Sequence, residues 1–126
     1  MKVAIIFGGS GYIGTNLLDF FLNQTSFDKY FICDIKPLLK FETQIKEGIV
    51  VYKNVDVRNN IDLKIQNIDI EKSWVFNFAA IHREPGHKFH EYFNTNIPGA
   101  KNINAFAVKT GIKNIFFTSS IAPYGR

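Results

Sequence analysis

Three glycines at a spacing of three, Gly8-x-x-Gly11-x-x-Gly14, follow directly on the apolar run Lys2–Phe7 (KVAIIF). They lead into Tyr12–Asn23, where Ile13, Leu17, Phe20, Phe21 and Leu22 recur at helical spacing. No other feature of the chain narrows its fold so much. A β-branched run without polar interruption reads as a strand covered on both faces, and the glycines place a sharp strand-to-helix turn behind it. Each glycine has a separate job in such a turn. One supplies backbone angles that a Cβ resists. Another lets a ligand's phosphates approach the main chain, and the last lets helix and strand pack closely. Unpaired N–H groups at the helix start, with the helix dipole behind them, then face an anion.

The rest of the chain alternates in the same manner. Tyr30–Asp34 (YFICD), Ile49–Lys53 (IVVYK), Ser73–Ala79 (SWVFNFA) and Asn114–Thr118 (NIFFT) read as further buried strands. Leu38–Lys46, behind Pro37, reads as a helix, and so does the stretch from Tyr92 to Thr110, stopped by Gly111. Pro98 stands inside that stretch. An interior Pro costs about 3 kcal/mol, so a break or a fresh helical start is expected at Asn96–Pro98, with Asn96 as its cap. The alternation implies an α/β fold: a Rossmann-type doubly wound parallel sheet of strand order 3-2-1-4-5, forming one domain over residues 1–126. Trp74, Phe76 and Phe78 alternate along the fourth strand. Trp74 and Phe76 are expected in the core, and Phe78 both in the core and against a cofactor. Cys33 is expected to be core packing.

Asp34 ends the second strand, twenty residues beyond Gly14. A carboxylate there can accept both hydroxyls of an adenine ribose, and it would repel a 2′-phosphate. Unit charges 4 Å apart at an effective dielectric near 20 interact by about 4 kcal/mol. That is enough to favour NAD over NADP, although Lys36, two residues on, softens the repulsion.

Composition excludes several other classes. The chain has 126 residues, 46% of them hydrophobic, which suits one core rather than disorder. Its longest apolar runs, Val3–Phe7 and Ile49–Tyr52, fall far short of the roughly 20 residues that span a bilayer. The first of them is also too short for a secretory signal. With a single cysteine, Cys33, no internal disulfide can form, and a cytoplasmic location is expected. A net charge of +4 raises the question of nucleic acid. However, the basic residues are mostly scattered lysines, with only Arg58, Arg83 and Arg126 as arginines. Nucleic-acid readers gather charge on one face and favour Arg forks, so neither nucleic acid nor a membrane is expected as a partner. His82, His87 and His90 lack the Cys or paired carboxylates that would complete a metal site, and none is expected.

Several segments together resemble one family, the extended short-chain dehydrogenase/reductases, which include NAD-dependent sugar-nucleotide epimerases and dehydratases. Gly8-Gly9-Ser10-Gly11-Tyr12-Ile13-Gly14 is similar to its TGGxGxIG fingerprint, with Phe7 in place of Thr. Asp56-Val57-Arg58 is similar to its D-[VIL]-R element, and Asn77-Phe78-Ala79-Ala80 to its H-[LF]-A-[AG] turn. Thr95-Asn96-Ile97-Pro98-Gly99-Ala100 resembles T-N-V-x-G-T. Thr118 to Gly125 resembles S-S-S-x-x-V-Y-G, with Pro123 where Val is usual.

The resemblance implies NAD as cofactor, held by Gly8, Gly11, Tyr12, Ile13, Gly14 and Asp34. It places Asp56 and Val57 at the adenine, Phe78, Ala79 and Ala80 beneath the nicotinamide ribose, and Thr95 near the cofactor. It assigns Ser120 to the substrate hydroxyl or carbonyl, and His82 and Arg83 to a loop facing ligand. The family's acid/base pair, a Tyr and Lys spaced Y-x-x-x-K, follows the serine segment by about two dozen residues in relatives. No such pair occurs here, since Tyr124 belongs to the V-Y-G position and Arg126 ends the chain. The expectation is therefore the cofactor-binding first part of a nucleotide-sugar epimerase, dehydratase or reductase, truncated after the fifth strand and inactive alone. The alternative is a naturally short, non-catalytic nucleotide-binding or interaction protein. Self-association is expected on two grounds. The fifth strand would be an unpaired edge, and the helix from about Asn96 to Thr110 resembles part of the family's dimer bundle.

Overall fold

The structure, a computed structural model, describes residues 1–79 and 89–117, and residues 89–98 by their backbone alone. Its elements are β1 (Val3–Phe7), α1 (Tyr12–Gln24), β2 (Lys29–Asp34), α2 (Glu42–Lys46), β3 (Val50–Asn54), β4 (Trp74–Asn77), α3 (Phe89–Thr110) and β5 (Asn114–Phe117). All strand pairs are parallel, in the order β3-β2-β1-β4-β5, as the alternation of the sequence implies.

β1 is the centre of the sheet. Ile5 lies between Phe31 of β2 and Val75 of β4, and all five β1 residues are wholly shielded from solvent. Side chains of a strand alternate between faces, so β1 feeds two cores. Val3, Ile5 and Phe7 pack with Ile103, Phe106 and Ala107 of α3. Ala4 and Ile6 pack on the other face with Leu18 of α1. At the start of the strand, the Val3 N–H donates to the buried Ser73 hydroxyl at 2.9 Å, which ties β1 to the approach of β4.

Three details differ from the sequence expectation. The helix expected over Leu38–Lys46 shrinks to Glu42–Lys46. Leu38 and Phe41 instead turn toward the α1-side core, and Phe41 takes a left-handed backbone (φ 66°), so the segment before the helix is shaped by burial. The break expected at Asn96–Pro98 is absent, and α3 runs through Pro98 as one helix of 22 residues. A proline withdraws a single N–H from the ladder, and helical turns on both sides of it carry the remainder. Gly111 does stop that helix. Its φ is 86°, and its N–H reaches the Ala107 and Val108 carbonyls at 2.9 and 3.2 Å.

The third difference concerns Trp74. Phe76 is buried as expected, but Trp74 is 37% exposed, and so is 46% of Phe116, the β5 neighbour of Phe76. α1 reaches as far as Phe76, whose ring lies 5.3 Å from that of Phe21. Trp74 stacks on Phe76 at 5.9 Å and leaves its outer side open. Among the described residues, no helix is long and apolar enough to cross a membrane.

Candidate functional site

The ends of β1, β2 and β4 and the turn after β3 converge at the carboxyl edge of the sheet, where ligands of open α/β sheets bind. The glycine turn is its centre. Gly8 has a φ of 77°, and its N–H donates to the Cys33 carbonyl at 2.8 Å. A Cβ at Gly8 would lie 2.6 Å from both the Phe78 carbonyl carbon and the Ala79 nitrogen. The residue is wedged between the ends of two strands, and only hydrogen fits. Gly14 is equally confined, but its closest neighbour is the Cα of Gly9 at 2.6 Å, so it packs helix against turn rather than helix against strand. Gly9 itself faces Ile32 Cγ2 at 2.8 Å from a notional Cβ. That role was legible only in the doubling of Gly8-Gly9.

Gly11 differs from the other three. Its φ is −79°, and among the described residues a Cβ there would meet nothing closer than the Gly8 carbonyl oxygen at 3.6 Å. No described atom demands glycine at this position, which immediately precedes the first turn of α1. That helix start carries no side-chain cap and no acidic residue. Tyr12 is 84% exposed beside it, and Ile13 half exposed.

Ser10 adds two observations. Its N–H donates to Asp34 Oδ2 at 3.0 Å, and its own hydroxyl oxygen is buried without a hydrogen-bond partner. A buried hydroxyl left unpaired is costly, and here it sits between open glycine space and a helix N-terminus. An anionic ligand with several acceptor oxygens fits all three features; the glycine turn and helix start are where the sequence places a dinucleotide's pyrophosphate, and the Ser10 hydroxyl is an addition from the structure. Asp34 Oδ1 accepts the Lys36 N–H at 3.2 Å. The carboxylate thus links the turns after β1 and β2, a structural duty the sequence reading did not assign to it. Cys33 just before it is fully buried, and burial, followed by the Asp34 charge, pushes its thiol up to about 12.

After β3, Arg58 grips Asp56. Its Nη2 lies 2.7 Å from Asp56 Oδ2 and its Nε 3.0 Å from Oδ1. These hydrogen bonds hold the Asp56 carboxyl below the usual carboxylate range. Val57 is buried in the α3-side core, and its carbonyl accepts the Asn102 side-chain N–H at 2.7 Å. Gly99 makes room for it, since a Cβ there would approach Val57 Cγ2 to 3.0 Å. Asn102 escaped the sequence reading because its partner is a main-chain oxygen 45 residues away.

Phe78, expected to serve core and cofactor alike, turns its ring into the core and stacks on Phe76 at 6.4 Å. Its main chain borders the glycine turn. The Phe78 N–H donates to the Phe7 carbonyl at 2.8 Å, and the Ala79 N–H to Asn77 Oδ1 at 3.0 Å. Ala80, His82, Arg83, His87, Thr118 and Ser120 lie outside the described residues, and Thr95 and His90 are placed on α3 by backbone alone. Among the described residues no group of three His, Cys, Asp or Glu could hold a metal ion.

Comparison with known proteins follows the same outline. The model of the 3-beta hydroxysteroid dehydrogenase/isomerase family matches residues 5–125. The N-acetyl-alpha-D-glucosaminyl-diphospho-ditrans,octacis-undecaprenol 4-epimerase of Escherichia coli O157:H7 is 31% identical over 121 residues, 96% of this chain and 33% of its own length. Pen from Bacillus thuringiensis superposes with a TM-score of 0.75 at 26% identity, covering 98% of this chain and 39% of its own. The Bordetella bronchiseptica enzyme WbmG, solved in complex with NAD and UDP, superposes at 0.64 with 22% identity, over 90% of this chain and 36% of its own. That last likeness speaks for the fold alone. The chain thus spans about a third of the length of its curated relative and about two fifths of these solved structures. With the match running from β1 to the penultimate residue, the chain belongs to the 3-beta hydroxysteroid dehydrogenase/isomerase family, within the extended short-chain dehydrogenase/reductases.

Proposed function

We propose that this chain binds NAD(H) and forms the cofactor-holding part of an epimerase, dehydratase or reductase acting on a nucleotide-activated sugar in the cytoplasm. The observation that carries the reading is Asp34. Its carboxylate closes the end of β2 against the glycine turn, bonded once at each oxygen by a backbone N–H. A carboxylate has about four acceptor sites, so two remain for the hydroxyls of an adenine ribose. The open space at Gly11, the unpaired Ser10 hydroxyl and the start of α1 receive the pyrophosphate. Asp56 and Val57 border the adenine, Phe78, Ala79 and Ala80 the nicotinamide ribose, and Thr95 lies near the cofactor. The bound dinucleotide supplies transient storage of a hydride. Ser120 is assigned to hold the sugar oxygen whose proton is exchanged.

The epimerase name of the curated relative supports a sugar on a diphosphate as substrate class. No Tyr in these 126 residues is followed by a Lys four positions later. A positioned acid/base contributes about 10²–10⁴ in rate, so the 126 residues alone should turn over very slowly.

The cofactor reading has a direct test. At about a hundred times its dissociation constant a ligand adds about 2.7 kcal/mol of stability, which is several degrees of melting temperature. NADH should therefore raise the melting temperature more than NADPH does, and Asp34→Ala should narrow the gap. If neither cofactor moves the transition, or the gap survives Asp34→Ala, the reading is wrong.

Self-association belongs to the same proposal. Among the described strands β5 lies at one end of the sheet with Phe116 and Phe117 half exposed, and Val108 projects from α3 into solvent. An exposed apolar edge invites pairing. Sedimentation should show the average mass rising with concentration, and a strictly monomeric profile at high concentration would count against it.

A further inference from the structure

Tyr52 belongs to none of the motifs that mark this family in the sequence. It stands on β3 opposite Ile32, partly buried against the α1-side core. Its hydroxyl lies 2.9 Å from the Asp34 carbonyl oxygen and 2.8 Å from the Lys36 carbonyl oxygen. A phenol has one hydrogen to donate, so the two carbonyls share it across the bend by which the chain leaves β2. That bend also returns the Lys36 N–H to Asp34 Oδ1. The hydroxyl and the carboxylate thus both tie down the same three residues, Asp34 to Lys36. Burial, and after it the Asp34 charge, raises the Tyr52 pKa above the ordinary phenol range.

We propose that Tyr52 is a positioning residue for dinucleotide selection, its hydroxyl fixing the Asp34–Lys36 bend and with it the pose in which the Asp34 carboxylate meets the cofactor. Without that hydrogen bond the bend has fewer restraints, and the carboxylate can swing away from the position where it both accepts ribose hydroxyls and repels a 2′-phosphate. The proposal rests on the reading of Asp34 as the ribose acceptor.

The test measures NADH and NADPH affinity by titration in the complete gene product, for wild type, Tyr52→Phe, Asp34→Ala and the double variant. Tyr52→Phe keeps the ring and its packing and removes only the donor. The NADH-over-NADPH preference should fall about fivefold in Tyr52→Phe, mainly through weaker NADH, as expected for one net hydrogen bond. In the Asp34→Ala background, the same substitution should change that preference by less than about twofold, because coupled residues lose their effect together. A purely structural role would lower the melting temperature and weaken both dinucleotides equally, leaving the ratio intact, and that result overturns the proposal. So does an unchanged ratio in Tyr52→Phe when Asp34→Ala collapses it. If Asp34→Ala itself leaves the ratio untouched, the reading of Asp34 fails first and the Tyr52 proposal goes with it.

Discussion

Gly8→Ala is expected to lower the melting temperature by about 10 °C or more, or to leave too little folded protein to measure. Two costs combine. An L-residue at a φ of 77° loses about 1–2 kcal/mol against glycine. The added Cβ would stand 2.6 Å from main-chain atoms of Phe78 and Ala79, and forcing such a contact apart costs about 1–3 kcal/mol. Neither neighbour can yield easily, because the Phe78 N–H is itself bonded to the Phe7 carbonyl. The total of about 2–5 kcal/mol is a large part of the roughly 5–15 kcal/mol that holds a domain together. Urea denaturation followed by circular dichroism checks it, and a midpoint equal to wild type would mean the turn is not wedged as described.

Gly11→Ala should do the reverse, sparing the fold and damaging the site. Its Cβ meets the Gly8 carbonyl oxygen at 3.6 Å, an ordinary contact, on a backbone that alanine adopts without strain. Restricting the unfolded chain gains about 0.4–1 kcal/mol, and the poorer N-cap loses a similar amount, so the melting temperature should stay within a few degrees of wild type. The methyl group would occupy the space assigned to the pyrophosphate, and NADH affinity should drop by about tenfold or more, about 1.4 kcal/mol. Stability retained with binding lost is the signature of a glycine kept for a ligand. Undiminished NADH binding in Gly11→Ala would remove the pyrophosphate from this turn.

The contrast between these two glycines shows what a sequence can and cannot disclose. Gly8, Gly11 and Gly14 look alike in the chain, and their spacing announced the strand, the turn and the helix correctly. Which of them serves the fold depends on how close Phe78, Ala79 and Gly9 come, and only folding decides that. Strand order was legible because buried parallel strands carry uninterrupted apolar runs, and connections between them follow one hand. The exposure of Trp74 was not legible, since alternation along β4 says which face a ring points to and not how far the helix on that face extends. Leu38 and Phe41 were read as helical on local pattern, and tertiary burial overrode it. Tyr52 and Asn102 carry no local signal at all. Each donates to a main-chain oxygen, 16 or 18 residues distant for Tyr52 and 45 for Asn102, and any residue type could supply such an oxygen.

The central position of β1 bears on how the chain is made. Of the five strands, β1 leaves the ribosome before the others, and its partner on one side, β2, follows within about thirty residues. Its partner on the other side, β4, begins only at Trp74, and Ser73, which holds the Val3 N–H, comes just ahead of it. Translation adds about 5–20 residues per second, so for several seconds the most apolar strand of the protein has one neighbour and an open flank. The intervening residues build α1, β2, α2 and β3, a half-sheet that can shelter one side of β1 while the nascent chain waits for the other. The middle strand of this sheet is made before its neighbours, and the sheet closes outward from it.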